Sequence, residues 1–247
     1  MASLFDSAEF NRRLFYPRRD TSASPAGAVD RFVDVPGARL HLREHAAAEA
    51  RATVLLFHGN GEVVADYDES APLFEASGAA LAVVDYRGYG LSSGEATLRN
   101  LIDDAPEVVA ALGGRPMIVM GRSLGSAAAA EIYRSPPPGV LGFIWESGFV
   151  DLGALVGRRG FELPRLPEDD RRVFDPIPKL QLGRSALLVL HGADDDMIVP
   201  REAQNAFDAA GTSTKKLVFV ANRGHNDVSA SPTYWDAIGM FVRAMAT

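Results

Sequence analysis

The sequence predicts an α/β fold, a mostly parallel central sheet with helices on both faces. Three observations carry this. Short, nearly continuous apolar runs punctuate the chain at Thr53–Phe57, Ala79–Val84, Met117–Met120, Val140–Ile144, Ala186–Leu190 and Leu217–Val220. Strands buried on both faces read this way. Helical segments separate the runs, and strands alternating with helices favour parallel pairing. Finally, Gly121-Arg122-Ser123-Leu124-Gly125 follows the apolar Pro116–Met120 and precedes the small residues Ser126–Ala130. That order is strand, sharp turn, helix.

The elements follow in order. Residues 1–28 predict a short helix, with Phe10, Leu14 and Phe15 at helical spacing, and then a loop broken by Pro17 and Pro25. Phe32–Val35 and the alternating Arg39–Arg43 flank a Pro36-Gly37 turn, which predicts an antiparallel hairpin at the sheet edge. Thr97–Leu112 has the apolar spacing of a helix, and Pro136-Pro137-Pro138 reads as a rigid loop between helix and strand. Ser231-Pro232 resembles a cap followed by proline at the first helical position, opening a last helix to about Ala246. Phe149–Leu180 departs from the alternation: Arg158-Arg159, Pro164, Pro167, the charged Glu168–Arg172, Pro176 and Pro178 predict short helices and loops. With no repeat and no Ser/Gly-rich linker, residues 1–247 are expected to form one domain, with a small cap-like insertion around 149–180 over the carboxyl edge of the sheet.

Composition narrows the function. The formal net charge is −7 and there is no basic run, so nucleic acid is not an expected partner. The absence of cysteine excludes disulfides, thiolate metal sites and a cysteine nucleophile, and it fits a reducing compartment. Asp6, Glu9, Arg12 and Arg13 interrupt the apolar residues at the start, unlike a signal peptide. No stretch has the length of uncharged residues that spans a bilayer. The expectation is a cytoplasmic protein with no membrane span. The oligomeric state is not legible.

Ser123 is the candidate nucleophile, since the turn would lift its hydroxyl to the end of the sheet. A serine hydroxyl needs a neighbouring base. His225, in Asn222-Arg223-Gly224-His225-Asn226-Asp227 just past the last apolar run, is the candidate, because active residues of open α/β sheets gather at that edge. His41 falls mid-strand and His45 in a loop near it. His58 and His191 each precede a glycine at a strand end and read as structural histidines bonded to loop backbone. The base needs a carboxylate to fix its tautomer. Asp194-Asp195-Asp196 leaves the choice open; Asp195 is preferred for its distance past His191-Gly192, with Asp196 next because it stands nearer Val199-Pro200. The oxyanion donors are expected from the backbone N–H groups of Leu124 and of Asn60, in Phe57-His58-Gly59-Asn60-Gly61-Glu62.

These residues make the chain similar to the alpha/beta-hydrolase superfamily, from about residue 32 to the end. His58-Gly59-Asn60, Asp85-Tyr86-Arg87-Gly88-Tyr89-Gly90, Gly224-His225-Asn226-Asp227 and Leu14-Phe15-Tyr16-Pro17 resemble its acyl-hydrolase, alpha/beta-hydrolase-domain branch. The resemblance implies cleavage of carboxylic esters or thioesters with no cofactor or metal. It also implies a structural place below the site for Asp85–Gly90. The short, proline-rich insertion predicts an open, small lid, hence small or medium acyl groups and a small-molecule ester as substrate. Same-fold lyases, perhydrolase-like enzymes and catalytically idle binding modules are the rival classes. Many members of the branch carry an N-terminal membrane helix or acylated cysteines; neither is found here, which tells against a palmitoyl-protein substrate. The aspartate segment is also one residue longer than the common form. In the insertion, Phe149, Leu155 and Phe161 are candidate pocket walls or ordinary core.

Overall fold

The computed structural model describes residues 3–162 and 167–246. Ser3 and Ser7 cap the first turns, Ser7 Oγ accepting the Phe10 N–H to open helix α1 (Ala8–Leu14). Phe15 lies outside α1 in extended backbone. Pro17 disfavours helix in the residue before it, so the turn closes early.

Strands β1 (Ala28–Val35) and β2 (Ala38–His45) pair antiparallel around Pro36-Gly37, with Gly37 at φ 79°. Both are longer than the apolar pattern indicates, and His45 ends β2 rather than lying in a loop. The register sets Asp30 against Arg43, and the carboxylate accepts Arg43 Nε at 2.7 Å. Charged cross-strand pairs of this kind carry the hairpin past the alternation of Arg39–Arg43, where no apolar pattern marks it.

There follow β3 (Ala52–Phe57), α2 (Ala71–Ala76), β4 (Ala79–Val84) and α3 (Leu98–Ala111). Next come β5 (Met117–Arg122), α4 (Ser126–Arg134) and β6 (Val140–Glu146). Helices α5 (Leu152–Gly157), α6 (Glu168–Phe174) and α7 (Pro176–Leu182) lead to β7 (Ala186–Gly192), α8 (Pro200–Ala209), β8 (Lys215–Val220) and α9 (Pro232–Met245). Thr97 Oγ1 caps α3 by accepting Asn100 N–H at 3.0 Å. At Ser231 the backbone carbonyl, not the hydroxyl, takes the first helical N–H, that of Tyr234.

The sheet order is β1-β2-β4-β3-β5-β6-β7-β8, and β2 alone runs against the rest. Leu55, Phe57, Val119, Leu187 and Val189 pack on the face covered by α3, α4 and α8. Val54, Leu56, Ile118, Met120, Leu188 and Leu190 pack on the opposite face, under α2 and α9. Successive side chains of a strand alternate faces, and both faces here are dry, which is why these strands read as unbroken apolar runs.

The segment 149–180 divides in two. Only α5 and the residues beside it reach the carboxyl edge. Helix α6 packs on α3, and α7 on α4 and α8. Buried Phe174 and Leu180 draw these helices into the core, and Lys179 of α7 meets Glu131 of α4 at 2.8 Å. Of the segment expected over that edge, α5 lies there, whereas α6 and α7 pack on the helices of one face. Phe149 and Leu155 face the cleft there, whereas Phe161 packs on the Phe10 ring with centroids 5.6 Å apart. Pro164 lies outside the described residues. No described helix is long and apolar enough to cross a membrane.

Candidate active site

β5 ends in a tight turn, Ser123–Gly125, that feeds α4. Ser123 takes φ 50°, a left-handed conformation that costs a non-glycine residue roughly 1–3 kcal/mol. The flanking glycines let the helix start press on the sheet. A Cβ on Gly121 would come 2.7 Å from Ala129 Cβ and 2.8 Å from Gly125 O, and one on Gly125 would collide with the Phe57 carbonyl.

Two further loops converge on the serine. β7 continues into Ala193–Val199 and β8 into Ala221–Asp227, and the two are joined by backbone bonds, Ala193 N–H to Val220 O and Asp194 N–H to Arg223 O, both 2.9 Å. Asn222 at φ 57° turns the second loop back. His225 Nε2 thereby lies 2.9 Å from Ser123 Oγ, and His225 Nδ1 lies 2.7 Å from Asp195 Oδ2. All three residues are buried. Asp194 and Asp196, the alternatives that the sequence left open, are exposed.

The electrostatics assign the tautomer. Burial pushes the Asp195 carboxyl up. His191, His225 and the Ile198 N–H outweigh it and hold the group well below the usual carboxylate range. An ionised carboxylate only accepts, so His225 Nδ1 donates and Nε2 is left to accept the serine proton. Asp195 Oδ1 is itself clamped by the Met197 and Ile198 N–H groups at 2.9 and 2.8 Å. His191 Nε2 donates to Ile198 O at 2.7 Å with Asp195 Oδ2 at 3.2 Å, and His58 Nδ1 donates to Gly59 O at 2.7 Å. Both histidines therefore hold loop backbone. Asp85 is fully buried and accepts the Val64 N–H at 3.0 Å, fixing the chain beyond the His58–Glu62 loop.

Asn60 and Leu124 both line the cleft with Ser123. The Asn60 side chain is locked: Nδ2 donates to Leu14 O at 2.5 Å, and Oδ1 accepts Tyr16 N–H at 2.9 Å and Tyr89 O–H at 2.7 Å.

Sequence reasoning missed a polar network beneath the serine. Arg122 pairs with Glu62 and, through Nε at 3.2 Å, with Glu146. Its Nη2 also reaches Asn226 Oδ1 at 3.1 Å and His225 O at 3.4 Å. Glu62 in turn accepts the Gly59 N–H and the Tyr67 O–H, both at 2.6 Å, and Glu146 accepts the Tyr234 O–H at 2.7 Å. Burial pushes the Glu146 carboxyl up against the pull of Arg122 and Tyr234. One guanidinium thus ties the serine turn, the Asn60 loop and the His225 loop together. The only sequence signal was a charged residue, Arg122, between an apolar strand and the serine.

The cleft above Ser123 has a volume of about 490 Å³, and Leu14, Phe149, Leu155 and Ile198 supply apolar wall. Among the described residues no cluster of His, Asp or Glu could hold a metal ion.

Comparison with known proteins agrees with this architecture. The family described as serine aminopeptidase, S33, matches residues 48–167. An uncharacterized protein of Mycobacterium tuberculosis is 31% identical over 192 residues, 74% of this chain and 66% of that protein, so the match spans just under two thirds of the relative's length. Human alpha/beta hydrolase domain-containing protein 17B is 27% identical over 206 residues, 78% of this chain and 67% of that one. The esterase Pf2001 of Pyrococcus furiosus superposes with a TM-score of 0.76 at 17% identity, covering 94% of this chain and 99% of its own. The chain has the alpha/beta-hydrolase fold, and its sequence is similar to proteins of that superfamily.

Proposed function

We propose that the protein is a serine hydrolase that cleaves carboxylic esters or thioesters of small or medium acyl groups through an acyl-enzyme. The observation that carries this reading is the line Ser123 Oγ, His225 Nε2, His225 Nδ1, Asp195 Oδ2, with contacts of 2.9 and 2.7 Å. Ser123 attacks the ester carbonyl as His225 takes its proton, and Asp195 holds the ring and stabilises the imidazolium. The N–H groups of Asn60 and Leu124 receive the oxyanion. His225 then protonates the leaving alcohol or thiol and activates water to free the acyl group. A cleft of about 490 Å³ with Leu14, Phe149, Leu155 and Ile198 on its apolar wall suits a small or medium acyl chain. The lack of cysteine supports work in a reducing cytoplasm.

The test is Ser123→Ala on 4-nitrophenyl esters of graded acyl length. Turnover is expected to fall by roughly a millionfold, as in comparable triads, and fluorophosphonate labelling to vanish. Turnover or labelling at the unmodified rate overturns the assignment.

A further inference from the structure

The charges around the cleft do not balance. Its lining includes three cations, Arg122, Arg158 and Arg159, and one carboxylate, Glu62. Glu62 is taken by Arg122. Arg158, at the end of α5, reaches Glu202 Oε1 only at 3.4 Å, while Glu202 Oε2 accepts the Val150 and Asp151 N–H groups at 2.9 and 3.1 Å. Arg159 has no carboxylate partner among the described residues, and the residues outside the description carry no acidic side chain. Its guanidinium packs over the Tyr16 ring, 5.1 Å from the centroid, and Nη1 donates to Tyr16 Oη at 3.0 Å. Its Nε is shut off from water with nothing to bond. A guanidinium that is stacked, half-buried and unpaired in a concave site is prepared for an anion, since part of its desolvation has already taken place.

We propose that Arg159, with Arg158 beside it, recognises an anionic group on the substrate. The substrate class is then an ester whose acyl or alcohol portion ends in a carboxylate or phosphate. This rests on the hydrolase reading above. The apolar wall takes the chain next to the scissile carbonyl, and the guanidinium takes its far end. The protein as a whole is acidic, at −7, so the excess of cations along this cleft runs against its net charge.

The experiment compares two chromogenic esters of equal chain length, neutral 4-nitrophenyl valerate and anionic 4-nitrophenyl hemiglutarate. The readout is the ratio of their kcat/KM values. A hydrogen-bonded charge pair predicts that this ratio falls roughly 10- to 100-fold in Arg159→Gln and is partly restored in Arg159→Lys. In the unaltered enzyme the preference for hemiglutarate should weaken as salt is raised, a readout that needs no variant to fold. A ratio unchanged within about twofold, with no salt dependence, overturns the proposal. Failure of the enzyme to turn over either ester counts instead against the hydrolase reading. Calorimetry on Ser123→Ala protein still reads the anion site in that event. Binding of monomethyl glutarate identifies a carboxylate ligand, and binding of propyl phosphate a phosphate. Loss of that binding in the Ser123→Ala, Arg159→Gln double variant supports the site, and no binding of either probe overturns it.

Discussion

At the scale of single residues, Asp195 holds more than one bond in place. Its Oδ1 receives two backbone N–H groups, and Oδ2 receives His225 and lies near His191. Asp195→Asn keeps the volume but presents an NH₂ group where an acceptor is needed. The imidazole must then turn its lone pair toward residue 195, leaving Nε2 protonated and unable to take the serine proton. We expect kcat on a 4-nitrophenyl ester to fall about 10⁴-fold with the fold retained, and a loss under about tenfold would contradict the role assigned to this carboxylate. Asp194→Asn and Asp196→Asn, at exposed positions, should change kcat less than about twofold in the same assay.

At the scale of elements, the start of α4 depends on close approach. Gly125 faces the Phe57 carbonyl and the Tyr86 hydroxyl so closely that no Cβ fits. Gly125→Ala must push the helix start off β3, which moves Ser123 and the Leu124 N–H together. Overpacking of this kind costs roughly 1–3 kcal/mol, and backbone on one side of the contact puts this case at the upper end. Gly157→Ala is the control, since its Cβ would meet nothing within 4 Å. Urea unfolding should show the first variant destabilised by at least about 2 kcal/mol and the second changed by less than about 1 kcal/mol. Equal midpoints for the two would mean that the α4 start has room to spare.

At the scale of the whole molecule, a buried polar network joins the edge hairpin to the region of the site. His41 of β2 lies between Asp85, 2.8 Å from Nδ1, and Asp30, 3.1 Å from Nε2. Burial lowers the His41 pKa, but the two carboxylates outweigh it and raise the group above its ordinary value. Its protonated form therefore adds stability that is fully present below the unfolded value near 6.5 and is lost as the pH rises through the folded value. For Asp85, burial raises the pKa, and His41 and His58 bring it below the ordinary value. Its contribution is present above the usual carboxylate range and is lost as the pH falls through its depressed value. The urea midpoint should decline as the pH is raised above neutrality, and His41→Gln should flatten that decline. An identical slope in both proteins between about pH 6 and about pH 9 would remove His41 as the cause.

The sequence by itself determined the alternation of buried strands and helices, the strand-turn-helix at Ser123, and the chain order of a serine, an aspartate cluster and His225. Each of these is written in local chemistry: apolar runs, glycines where a Cβ cannot fit, and loops just past strand ends. Spacing past His191-Gly192 favoured Asp195, but Asp194, Asp195 and Asp196 are chemically alike, and only the direction the folded loop gives them brings Asp195 to His225. The same holds for the Arg122 network, whose partners Glu62, Glu146 and Asn226 come from separate loops and strands. It holds for the division of residues 149–180 and for the unpaired Arg159 as well. A charge acquires a partner, or goes without one, only when elements distant in the chain pack together, and no local pattern encodes that distance.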